Sequence, residues 1–141
     1  GKAVKNPPRS PAPPDMPNRE TRQAIEAVRR GDIETAKDAG DLLNKLNLKT
    51  PGVYTPAYSR QFKRDYRRLS RSGRSVDDVD KLIRLLVAGG PLPAQCQDHA
   101  LKGEYRDCRD CHAQPDLVLI YHTEGRRLSL VRLGSHAELF G

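Results

Sequence analysis

Three short β-forming runs crowd the C-terminal third of this chain: Tyr105–Asp110, Leu117–His122 and Arg127–Leu133. Only a few residues separate them, which suits the tight turns of an antiparallel meander. Titratable residues are threaded through the same stretch. Asp110 and His112 stand two apart, so on a strand both side chains leave from one face. Asp116 follows the turn at Pro115, His99 lies in the loop before the meander, and His136 lies in the tail after it. Imidazoles and carboxylates gathered beside Arg109 and Arg132 are the groups that acid–base cleavage of a phosphodiester needs.

Upstream, the pattern turns helical. Tyr58–Arg74 carries Tyr58, Phe62, Tyr66 and Leu69 at helical spacing, expected to be the buried stripe. Its other face holds Arg60, Lys63, Arg64, Arg67, Arg68, Arg71 and Arg74, with Asp65 the only acid. Such a face can track RNA phosphates, giving affinity without sequence reading. Ser75 is expected to cap a second helix whose apolar face is Val76, Val79, Leu82, Ile83, Leu86 and Val87, ended by Gly89-Gly90-Pro91. The two helices are expected to form a hairpin on one face of the sheet. Val53–Ala57 reads as a short first strand, and residues 91–98 as a connecting loop. The fold class is therefore α+β: a small antiparallel sheet with a helical hairpin packed on it.

The net charge of +7 favours an anionic partner, with nucleic acid the leading candidate. Residues 48–141 hold 16 Lys/Arg against 11 Asp/Glu, so most of the excess lies there. With two Phe, five Tyr and no Trp, an extended base-stacking platform is not expected. No apolar run approaches the ~20 residues of a membrane helix, and no apolar signal-peptide core is visible. Three cysteines, an odd number, argue against a disulfide scaffold and fit a reducing compartment. The expected location is the cytoplasm, with no membrane partner.

Two metal-like patterns compete for the same residues. Cys108-Arg109-Asp110-Cys111-His112 matches the C-x-x-C-H haem attachment pattern, which belongs to chains exported from the cytoplasm. Cys96 and His99, added to Cys108 and Cys111, resemble a zinc ribbon. On a strand, however, residues three apart point to opposite faces, so Cys108 and Cys111 should diverge. The expectation is no metal and no cofactor. A zinc-bearing nucleic-acid-binding protein and a non-catalytic basic RNA- or ribosome-binding module are the alternative functions.

The order Asp98-His99, Gly103-x-Tyr105, Arg109-Asp110-x-His112-x-x-Pro115-Asp116-x-x-Leu119-Ile120-Tyr121 and Arg132-x-Gly134-x-His136-Ala137-x-Leu139-Phe140 closely resembles the YafQ branch of the RelE-like bacterial toxins. The resemblance spans about residues 53–141. It implies an endoribonuclease that cleaves mRNA positioned in the 30S A site of the ribosome, without a metal. It also implies His99, Asp110, His112, Asp116, His136 and Phe140 as the catalytic set, with His136 foremost in proton transfer. Arg109 and Arg132 would contact the scissile phosphate. Arg60, Lys63, Arg64, Arg67 and Arg71 would bind the RNA backbone. Cys111 and Leu117 depart from the family pattern, which often has Ala and an aromatic there; the second change bears on a base-stacking contact and leaves the acid–base set alone.

The N-terminal part divides in two. Residues 1–16 contain five prolines and no periodicity, so an extended, disordered arm is expected. Residues 18–30 read as a helix capped by Asn18 and ended by Gly31, and residues 41–47 as a second short one; neither has enough core to stand alone. Pro17-Asn18-x-Glu20-Thr21-x-x-Ala24-Ile25-Glu26-Ala27 is similar to the toxin-wrapping half of RelB/DinJ-type antitoxins. That implies an antitoxin-like segment, residues 17–47, joined to a toxin domain, residues 48–141. The segment would neutralise the toxin in cis, or in trans through a swapped dimer.

Overall fold

The computed structural model describes residues 16–35 and 52–141. The expected arm at 1–16, apart from Met16, and the short helix at 41–47 lie outside the described residues. The first element, α1 (Arg19–Arg29), starts where Asn18 accepts a hydrogen bond from the Thr21 N–H. It buries Thr21, Ala24, Ile25 and Val28 along one side. A two-residue strand, β1 (Glu34–Thr35), follows.

The strand expected at 53–57 is β2 (Thr55–Tyr58). Ser59 then caps α2 (Arg60–Arg71), accepting from the Phe62 N–H. The next helix, α3 (Asp77–Ala88), begins two residues after Ser75, whose hydroxyl accepts from the Asp77 N–H but leaves the N-cap position to Val76. It ends at Gly89, whose φ of 96° is left-handed and whose missing side chain leaves room for Val53.

The remainder is β3 (His99–Ala100), β4 (Cys108–Gln114), β5 (Leu117–Glu124), β6 (Arg127–Gly134) and a short α4 (His136–Phe140). Residues Gly103–Tyr105, expected to lead into a strand at Tyr105, form a 3-10 turn instead, so β4 starts at Cys108.

The six strands form one sheet in the order β1-β2-β6-β5-β4-β3. It is mixed rather than wholly antiparallel: β2 pairs parallel with β6, Thr55 opposite Arg127 through Tyr58 opposite Leu130. Parallel neighbours need a long crossover, and the α2–α3 hairpin lies on that path. The hairpin packs Phe62, Tyr66, Val79, Leu82, Ile83, Leu86 and Val87 on one sheet face, against Cys111, Leu119, Tyr121, Leu128, Leu130 and Leu133. The other face carries Val118, Ile120 and Val131, covered by Ala24, Ile25 and Val28 of α1 and Leu139 of α4. Burying Ile25 and Val28 is worth about 1.5–3 kcal/mol each, which explains why so thin a helix can hold its place.

Candidate active site

Strand alternation sorts the titratable residues by face. Asp110 is paired with Ile120 and His112 with Val118, so both belong to the face covered by α1 and α4. Two cross-strand rows result. One runs His99, Asp110, Ile120, Arg132 across β3, β4, β5 and β6. The next runs His112, Val118, Gly134. From Gly134 the chain turns through Ser135 into α4, whose first residue is His136. A capping box fixes that turn: Ser135 accepts from the Glu138 N–H, and the Glu138 carboxylate accepts from the Ser135 N–H. Those hydrogen bonds hold the Glu138 carboxyl below its usual range.

His99 is oriented by one acceptor and one nearby carboxylate. Its Nδ1 lies 2.7 Å from the Gln97 carbonyl oxygen and 3.1 Å from Oδ1 of the buried Asp110. A carbonyl oxygen can only accept, so in that contact Nδ1 carries the proton, and Nε2 is the basic atom of the neutral ring. His136 is exposed and stacked on Phe140, ring centroids 4.7 Å apart. Asp116 is exposed in the β4–β5 turn, at the same end of the sheet as His112 and Gly134. Strand register thus puts His99, Asp110 and His112 on the face covered by α1 and α4, where Phe140 also packs, with His136 at the start of α4 and Asp116 in the turn beyond His112.

The two arginines part company. Arg132 lies in the first row but is buried and bound. Its Nε and Nη2 donate to the two oxygens of Asp65 at 2.9 and 2.8 Å, and its Nη1 to the Thr21 hydroxyl at 3.3 Å. Asp65 also accepts from the Leu133 N–H at 3.0 Å, standing in for the strand partner that β6 loses where β2 ends. Arg109 is paired with Tyr121 and therefore faces the hairpin side, away from the histidines, where it holds Asp98. On α2, Arg64, Arg67 and Arg71 are exposed. Lys63 instead pairs with Glu34 at 3.3 Å, and Arg60 lies 3.9 Å from Asp32, so the N-terminal segment reaches part of the basic face.

Cys108 and Cys111 diverge as alternation demands, one in each core. Desolvation pushes the Cys108 thiol up to about 12 and raises those of Cys111 and Cys96. Among the described residues no group of three or more His, Cys, Asp or Glu could hold a metal ion.

Sequence reasoning missed Asp65, Thr21 and the anchor at the far end of α1. There Arg29 forks onto Asp107 at 2.8 and 3.0 Å and reaches the Glu104 carbonyl oxygen at 2.6 Å. Arg29 holds the Asp107 carboxyl below its usual value, with His122 nearby at 3.4 Å. A depressed carboxyl contributes stability above its unfolded value of about 3.9 and loses it as pH falls through the lower folded value. Protection of α1 amides from hydrogen exchange, once corrected for intrinsic exchange, should therefore hold steady from pH 7 to 5 through this pair. It should decline only below about pH 4.

The fold and the site together define a small α+β protein of the RelE-like toxin class. A model of the YafQ family, described as the bacterial toxin of a type II toxin–antitoxin system, matches residues 54–141, and the chain belongs to that family. It is 36% identical over 85 residues to the mRNA interferase toxin YafQ of Escherichia coli strain K12, covering 60% of this chain and 92% of that protein. It is 42% identical over 89 residues to the putative toxin YafQ of Haemophilus influenzae, covering 58% and 87%. The crystal structure of the E. coli DinJ–YafQ toxin–antitoxin complex superposes with a TM-score of 0.60 at 34% identity, over 63% of this chain and 99% of that one. No helix among the described residues is long and apolar enough to cross a membrane.

Proposed function

We propose that residues 48–141 are a ribosome-dependent mRNA endonuclease and that residues 17–47 are an antitoxin-like segment that holds it inactive. The observation that carries the catalytic reading is the placing of His99, Asp110 and His112 in adjacent rows of one sheet face, with His136 opening the helix that follows Gly134 of the second row and Asp116 in the turn after His112. In this scheme one imidazole removes the proton from a ribose 2′-OH. The resulting oxyanion attacks the adjacent phosphorus, and a second imidazole protonates the departing 5′-oxygen. The nucleophile belongs to the RNA, so the step closes without a metal and spares DNA. His136 acts directly in proton transfer, and Arg132 steadies the charge developing on phosphate.

The inhibitory reading is supported by the contacts of α1 and β1. Thr21 occupies the guanidinium edge of Arg132 that Asp65 leaves open, while His136 stays exposed. The segment thus withholds the cation rather than the imidazoles. Glu34 and Asp32 lie against Lys63 and Arg60, drawing off part of the RNA-binding charge. Docking is taken as intramolecular; a swapped dimer would double the mass in light scattering.

The test is mRNA cleavage in a translating extract. A protease site is placed between residues 36 and 51, and intact and cut chains are compared after the N-terminal piece is washed away. The cut chain should cleave ribosome-bound mRNA and the intact chain should not. Equal activity in both would remove the inhibitory reading; activity in neither would remove the nuclease reading.

A further inference from the structure

Asp98 and His99 are chain neighbours whose side chains serve opposite faces of the sheet. On the hairpin side, Asp98 Oδ2 accepts from Arg109 Nε at 3.2 Å and Nη2 at 3.0 Å. Its Oδ1 accepts from the Tyr121 hydroxyl at 2.5 Å. Arg109 and Tyr121 stand opposite each other on β4 and β5, two interior strands of the sheet. Burial and the Asp98 carboxylate push the Tyr121 phenol up, so it remains a donor across the working pH range. On the other face, His99 presents Nδ1 to Gln97 and Asp110.

Between these contacts lies a backbone irregularity. Gln97 has φ 49° and ψ 44°, and among the described residues it is the non-glycine residue with positive φ. Left-handed backbone is disfavoured for a side chain with a Cβ and persists where its surroundings over-determine it. Here it turns the Gln97 carbonyl oxygen onto His99 Nδ1. The Asp98 clamp is the fixed point immediately after it.

We propose that Asp98, gripped by Arg109 and Tyr121, is the positioning residue of His99. The clamp fixes the backbone at 97–99, holds Nδ1–H on the Gln97 carbonyl beside the Asp110 carboxylate, and so presents Nε2 to the RNA. Arg109 then acts through Asp98 and does not touch phosphate. The proposal rests on reading this face as the nuclease site.

Three variants of the full chain test it: Asp98→Asn, Arg109→Lys and Tyr121→Phe, the last removing one hydroxyl and leaving the fold in place. The first readout is the nitrogen chemical shifts of the imidazoles, which report the tautomer of each ring. Asp98→Asn should move His99 away from the Nδ1–H form while His112 and His136 stay put, with Tyr121→Phe intermediate. The second is cleavage by the cut chain. There kcat should fall roughly ten- to a hundredfold, the scale of an ångström-level misplacement, with KM within about twofold. Arg109→Lys, which keeps charge but loses the fork, should behave as Tyr121→Phe does. Unchanged His99 shifts in all three variants would overturn the proposal. So would a rise in KM at constant kcat for Arg109→Lys, which would make Arg109 a phosphate contact. If the cut chain cleaves nothing, the nuclease reading fails and the imidazole shifts alone decide whether the clamp sets His99.

Discussion

Replacing His136 with alanine in the cut chain should lower mRNA cleavage by about 10²- to 10⁴-fold, the usual contribution of a positioned acid or base. The same change should leave the fold nearly untouched. His136 is exposed at the start of α4, and the hydrogen bonds that set that helix belong to Ser135 and Glu138. Its ring contact is with Phe140, itself only partly buried. Thermal unfolding should therefore shift by no more than the ~0.5 kcal/mol typical of surface substitutions. Loss of cleavage with an unmoved melting curve places the effect in chemistry. Cleavage within tenfold of the parent would take His136 out of the mechanism.

Asp65→Ala should do the reverse and destabilise the protein by about 3–5 kcal/mol, the scale of breaking a buried ion pair. Arg132 would keep its charge in a site it cannot leave, and the Leu133 N–H would lose its acceptor. Against a total of about 5–15 kcal/mol for an ordinary domain, that is a large fraction. Removing both charges together, as Asp65→Leu with Arg132→Met, should recover much of the loss. Chemical denaturation of the single and double variants measures both. A single variant as stable as the parent would show that Asp65 holds nothing up.

The helices and the meander were legible because their signals are local. Phe62 and Tyr66 recur at helical spacing, and β5 and β6 begin where their runs begin. The same alternation that joined Asp110 to His112 also sends Arg109 to the opposite face; grouping it with the histidines by sequence nearness overlooked this. The parallel pairing of β2 with β6 was not legible, because nothing in Thr55–Tyr58 names a partner some seventy positions on. The Asp65–Arg132 pair left one trace: a lone acid beside the buried Tyr66 on a helix otherwise lined with cations. Thr21 left none, since a threonine that meets a guanidinium 111 positions away looks like any other.

The way α1 and β1 are seated has a cost for whatever sets the domain loose. The same short stretch fills the flank of the sheet at β2, roofs Val118 and Ile120, and occupies the last edge of Arg132. Its removal uncovers a bare strand margin, an oily floor and one edge of a guanidinium still paired with Asp65. A bare strand margin and exposed apolar surface invite association with other chains. Whatever parts the two segments therefore leaves a domain prone to pair with a second copy of itself.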